Sequence, residues 1–132
     1  MRLFLMSILA LRIVGGGCEP NPGPTGSEDV FTLPGAQILI SALAVQDNAL
    51  VATGSVENTS TTRYSPYWYA EADFYADSTY TLKLGGSAQT FSYVLDPGES
   101  TLLNIRFRST QLDVNLYPNF RVKNLRAYRK RD

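Results

Sequence analysis

The chain has 132 residues, of which 44% are hydrophobic and 18% charged, and this fits one globular domain with a short extension. Twelve basic and twelve acidic residues balance, which gives no general attraction to nucleic acid or anionic membranes. The absence of histidine excludes Ser-His-Asp and Cys-His catalysis and His-ligated zinc, and the single cysteine excludes an intrachain disulfide or a cysteine-rich metal site. No cofactor is expected.

The first 17 residues, Met1–Gly17, have the pattern of a secretory signal peptide. Arg2 provides a basic start, an apolar run continues to Leu11, and small residues follow. The apolar run is too short for a permanent transmembrane helix.

Glycines at positions 15–17 followed by Cys18 resemble the bacterial lipoprotein signal. The resemblance implies cleavage after Gly17 and acylation of Cys18, with the domain anchored in the bacterial cell envelope outside the cytoplasm. Gly15 stands where that family usually has leucine, and Arg12 interrupts the apolar run. Glu19, in place of the aspartate that tends to retain lipoproteins at the inner membrane, favours the outer membrane. The alternative is an ordinary secreted protein with a free cysteine.

Residues 18–29 are predicted to be the acylated cysteine and a flexible tether. From Glu19 to Asp29 there are three prolines, two glycines and no large apolar side chain. Such a tether spans roughly 20 Å on coil statistics. The folded domain is therefore expected to occupy residues 30–132.

Period-two alternation and turn residues predict an all-β domain. The strand Tyr67–Tyr75 is expected to be central, since Trp68 and Phe74 alternate with polar and tyrosine residues. The other predicted strands are Gln37–Val45, Leu50–Glu57, Tyr80–Leu84 ended by Gly85 and Gly86, Gln89–Leu95, Ser100–Arg108 and Phe120–Tyr128.

Two local irregularities are also predicted. Asp96-Pro97-Gly98-Glu99 is a strong turn sequence, because proline fixes φ at its first central position and glycine accepts a positive φ at the second. The apolar register of the last strand changes near Lys123-Asn124, which indicates a bulge there. Together these features predict one immunoglobulin-like antiparallel β-sandwich of six or seven strands.

The segments Gly54–Ser60, Ala72–Asp77 and Leu95–Ser100, in that order, resemble the FxLYD family of small immunoglobulin-like domains. That family is frequent in bacterial lipoproteins and secreted proteins. The resemblance covers roughly residues 50–107, and it departs from the family pattern at Ala76 and in the longer loop from Thr61 to Pro66. It implies fold and location, and it implies no enzymatic activity.

Tyr67, Tyr69 and Tyr75 lie on the predicted outer side of the central strand and form a possible binding face. The alternative is that they are cross-strand packing pairs, and the sequence leaves the choice between the two open. The carboxylates near them are interpreted as solvated surface rather than as a calcium or acid–base site.

Asn58-Thr59-Ser60 matches a glycosylation acceptor but is read as a turn. The expected function is a non-catalytic interaction or structural module of the cell envelope, bound to the membrane through Cys18 and to an envelope protein or glycan. One alternative is a carbohydrate-binding module that uses the tyrosine face. The other is a carboxylate-based hydrolase.

Overall fold

The computed structural model describes residues 30–131, which form two antiparallel sheets packed as a sandwich. The seven strands are β1 (Val30–Thr32), β2 (Ala36–Gln46), β3 (Ala49–Asn58), β4 (Trp68–Tyr75), β5 (Lys83–Phe91), β6 (Ser100–Phe107) and β7 (Arg121–Lys130). A short 3-10 turn, Val114–Leu116, lies between β6 and β7. The predicted sandwich is confirmed, whereas the signal peptide, Cys18 and the tether lie outside the described residues.

The strand order follows an immunoglobulin-like path. Sheet A has the order β1-β7-β4-β5, and sheet B has the order β2-β3-β6. The chain crosses between the sheets after β1, after β3, after β5 and after β6, so that each sheet mixes early and late strands. β1 and β2 are joined by Leu33, Pro34 and Gly35 and belong to different sheets, with Gly35 at a φ of 69°.

β4 is a central strand, as its alternation predicts, and it has β7 on one side and β5 on the other. Trp68 and Phe74 are fully buried, and the two alanines between them, Ala70 and Ala72, are at most 1% exposed. The Trp68 ring stacks on Phe91 with centroids 3.9 Å apart, and its Nε1 donates to the Tyr93 carbonyl at 2.9 Å. The tryptophan therefore fixes β4 to the end of β5.

The prediction of two separate strands, Tyr80–Leu84 and Gln89–Leu95, is wrong. One continuous strand, β5, runs through Gly85 and Gly86, and Tyr80 lies in the preceding turn with a φ of 56°. Gly85 is needed for packing rather than for a turn, because a Cβ there would lie 2.5 Å from Cε1 of Phe107 in the other sheet. Paired glycines predict a strand end, and the sequence does not show that a ring of the other sheet approaches Gly85.

The predicted turn and bulge are both confirmed. The Glu99 amide donates to the Asp96 carbonyl at 3.0 Å, and Gly98 has the positive φ, 86°, that the turn requires. In β7 the pairing with β4 shifts between Glu71 and Asp73, and Asn124 adopts a φ of 59°. The bulge returns the apolar residues of β7 to the core after the shift.

Two of the motif segments meet in space. The Asn58 side chain is fully buried and donates to the Thr62 carbonyl at 2.8 Å and to the Leu95 carbonyl at 3.0 Å. Its Oδ1 accepts from the amide of Ser60 at 3.0 Å. The end of β3 is thereby tied to the Asp96–Glu99 turn. The side chain is already committed to these bonds, as expected if Asn58-Thr59-Ser60 is a turn.

Candidate binding face

The outer face of sheet A carries the tyrosines and carboxylates that the sequence places on the central strand. Since the even-numbered residues of β4 point into the core, the odd-numbered ones point outward. The outward residues are Tyr69, Glu71, Asp73 and Tyr75. They lie opposite β7, whose basic residues alternate onto the same side. We call this surface the β4–β7 face.

Tyr69 belongs to a stack at one end of the β4–β7 face. Its ring lies 5.2 Å from that of Tyr128, the residue directly opposite in β7, with 19° between the planes. Lys130 Nζ is 4.8 Å from the Tyr69 ring centroid, and the Arg126 guanidinium is 5.4 Å from that of Tyr128. Tyr128 is only 1% exposed although it is on the outer side of the sheet. The two rings therefore form a packed pair with cations over them.

Tyr75 belongs to a second cluster. Its ring meets Tyr80 edge to face at 5.4 Å, and Lys123 Nζ lies 5.4 Å from Tyr75 and 4.8 Å from Tyr80. Tyr69 and Tyr75 are six positions apart on an extended strand, a separation of about 20 Å. Tyr67 precedes β4 and is 61% exposed. The three predicted tyrosines thus occupy three separate positions rather than one continuous row.

The two carboxylates between the tyrosine clusters are held by basic side chains. Arg126 Nε is 3.3 Å from Glu71 Oε2, and Lys83 Nζ is 3.4 Å from Asp73 Oδ1. The Asn124 side chain also donates to Asp73 Oδ2 at 2.8 Å. Both acids stand on one strand of a flat sheet face, which differs from the opposed carboxylates across a cleft that glycoside hydrolysis uses. Within residues 30–131, no three acidic, histidine or cysteine side chains gather as a metal site would require.

Burial changes the acidity of one residue on this face. The pKa of Tyr128 is raised to about 12, chiefly because burial disfavours the phenolate. The charge of Glu71 and the neighbouring Tyr69 act in the same direction, whereas Arg126 opposes them. Tyr128 is consequently a neutral phenol over the whole physiological range.

The outer face of sheet B presents a different surface. Leu39 in β2 and Leu102 in β6 are 67% and 82% exposed, and both are paired with Ser55 of β3. An open depression of about 430 Å³ begins beside Leu39 and extends toward Glu57 and Ser100. The sequence points Leu102 outward, but the nearly continuous apolar run of β2 hides the exposure of Leu39. Leu39 is exposed because Ile38 and Ile40 on either side of it face the core, so that its own side chain points to the outer face of the sheet.

Comparison with known proteins assigns this chain to no family. No protein-family model, no curated protein and no solved structure matches this chain. In the part of the chain that the structure describes, no helix is long and apolar enough to cross a membrane.

Proposed function

We propose that this protein is a bacterial lipoprotein that presents a non-catalytic, immunoglobulin-like interaction domain in the cell envelope. The small residues before Cys18 and the proline-rich tether support an anchor at the N-terminus. The resemblance to FxLYD domains supports the same location. The partner is an envelope protein or glycan, and the outer membrane is the favoured site.

The observation that carries the interaction role is the composition of the β4–β7 face. Its two carboxylates are engaged by cations, and its tyrosines are packed against each other and against lysines. Lys123 and Lys130 are exposed above these rings. A surface with fixed aromatic rings and exposed cationic ends is suited to recognition of a partner with acidic groups.

The anchor is tested by expressing the full chain beside a Cys18→Ala variant in a bacterial host. We expect the wild type alone to gain the mass of two or three acyl chains and to enter the detergent phase. The variant should show neither change. If both proteins are soluble and unmodified, the lipoprotein proposal fails and a secreted β-sandwich remains.

A carbohydrate-binding role is the second candidate, favoured by the 61% exposure of Tyr67. Sugar rings stack on open aromatic faces, and Tyr69 and Tyr75 each have a lysine over the ring, which a glycan would have to displace. Co-sedimentation with purified cell-wall glycan tests this candidate. Tyr67→Ala should reduce binding if the candidate is correct, whereas Leu116→Ala, a change at another exposed apolar residue, should not. Equal binding by both variants would contradict it.

A further inference from the structure

The edge strands of the two sheets are protected to different degrees. β1, at one edge of sheet A, has only three residues, and a short edge strand pairs poorly with another chain. β5 and β6, at the other edges, lie side by side and are joined by hydrogen bonds. Ser87 Oγ of β5 donates to the Arg106 carbonyl at 2.5 Å. The Asn104 amide of β6 donates to Gln89 Oε1 of β5 at 2.6 Å.

β2 is the remaining edge strand, and it lacks such protection. It has 11 residues and contains no charged residue and no proline. Charges and prolines are common means by which proteins keep an edge from pairing with another chain. The hydrogen bonds that its side chains or neighbours add near the bulge involve Ser41 and Ala42, and both go to Thr53 of β3. They do not cover the side of β2 that points away from β3.

The hairpin between β2 and β3 determines which peptide groups lie on that open side. Its loop has two residues, so Gln46 and Ala49, which flank the loop, are a hydrogen-bonded pair. Every second residue of β3 after Ala49 bonds to β2 in the same way, and this series includes Ser55, the partner of Leu39. The residues on either side of Leu39 therefore direct their N–H and C=O groups away from β3.

These two neighbours, Ile38 and Ile40, form no other hydrogen bond within residues 30–131. Their side chains pack against the core but are only partly buried. By contrast, Ala52 and Val56, which face the core from the adjacent strand β3, are fully buried. The backbone and the side chains thus both show that β2 is open on the side away from β3.

A second copy of β2 fits this edge when the two strands are antiparallel and a two-fold axis passes beside Leu39. Ile38 of each copy then lies opposite Ile40 of the other, and each such pair exchanges two N–H···O bonds. Leu39 lies beside the partner's Leu39 at a position without hydrogen bonds, where side chains approach most closely. The bulge at Ser41–Ala42 limits regular pairing to residues 37–41 of each copy.

We propose that β2 is a dimerisation edge, at which a second copy of this chain extends sheet B into one sheet that spans both copies. The absence of charge on β2 favours an identical partner, because two such strands do not repel each other. Leu39, which is 67% exposed, is covered by its own counterpart. A strand pair of this length buries less than the roughly 800 Å² per partner of a standard interface, so the dimer is weak and reversible.

The first test is sedimentation equilibrium of the full chain carrying Cys18→Ala in density-matched detergent. That substitution removes acylation, so the result does not depend on the proposed anchor. We expect a concentration-dependent monomer–dimer equilibrium. Leu39→Lys should weaken it by about tenfold or more, since it places two like charges together at the axis. Leu102→Lys, at an 82% exposed residue of β6, should leave it unchanged.

The second test determines the register of the two strands. In the Cys18→Ala background, Leu39→Cys introduces the only cysteine, and its two copies lie close enough across the axis for a disulfide. Mild oxidation should therefore give a covalent dimer. Leu102→Cys is the control, because five strand spacings separate its two copies, about 24 Å. Circular dichroism and thermal unfolding establish that each variant is folded.

Three results would overturn the proposal. The first is a monomer at every concentration, which would leave the edge of β2 to a strand of another protein. The second is a dimer that Leu39→Lys does not weaken. The third is cross-linking of Leu102→Cys as fast as that of Leu39→Cys.

Discussion

The buried side-chain amide of Asn58 donates a hydrogen bond of 3.0 Å to the carbonyl of Leu95, 37 residues further along the chain. The backbone completes the link, since the Gly98 amide donates to the Asn58 carbonyl at 2.7 Å and the Asn58 amide donates to the Glu99 carbonyl at 2.9 Å. The loop that leads to β4 and the turn that leads to β6 are therefore organised by one residue. This contact joins the segments Gly54–Ser60 and Leu95–Ser100 in space.

Replacement of Asn58 by alanine should destabilise the fold by about 2–4 kcal/mol. The change leaves the carbonyls of Thr62 and Leu95 without their buried donor, and unsatisfied buried polar groups are costly. Urea denaturation measures the free energy of unfolding. Asn119→Ala, at an exposed loop position, is the matched control and should change it by less than about 0.5 kcal/mol. Equal stability of the two variants would contradict the role of Asn58.

Gly85→Ala should also be destabilising, by about 1–3 kcal/mol, because the added Cβ overlaps the Phe107 ring. Since the cost arises from that ring, it should fall when Phe107 is also replaced by leucine. A double-mutant cycle based on thermal unfolding measures this coupling. If the two effects simply add, Phe107 is not the source of the cost.

The acidity of Tyr128 predicts a loss of stability at high pH. Its pKa is about 12 in the folded chain, against about 10 for an unfolded tyrosine, so alkali favours the unfolded phenolate. The stabilisation is complete below pH 10 and is lost as the pH rises through 12, with a total of up to about 2 kcal/mol. Urea denaturation at several pH values from 8 to 12 measures the slope. Tyr128→Phe should show a smaller slope between pH 10 and 12, and an unchanged slope would contradict the prediction.

The two ion pairs of the β4–β7 face should differ in their contribution to stability. Glu71 is 8% exposed, so Glu71→Gln leaves the partly buried Arg126 without its counter-charge, at a cost of about 1–3 kcal/mol. Lys83 is more exposed, and Lys83→Met should change the free energy of unfolding by less than about 1 kcal/mol. Chemical denaturation of both variants provides the comparison. A larger effect at Lys83 than at Glu71 would contradict the conclusion that the Glu71–Arg126 pair is the more buried of the two.

Much of the fold follows from local sequence. The alternation around Trp68, the turn Asp96–Glu99 and the register change near Asn124 each depend on neighbours within a few residues, and each is confirmed. Two properties involved here are local ones: the alternation of buried and exposed residues along a strand, and the backbone conformation of a Pro-Gly pair. The sequence therefore determined the sandwich class and the central strand.

Tertiary structure decided the features that depend on distant partners. Gly85 stands inside a strand because Phe107 of the other sheet occupies the space that a side chain would need, and Leu39 is exposed because Ile38 and Ile40 on either side of it face the core. The tyrosines of β4 are distributed among separate clusters because β7 supplies Tyr128, Lys130 and Lys123 at different heights. Alternation assigns each of these side chains to a face, but only the strand order determines what lies opposite, since that pairing joins residues dozens of positions apart.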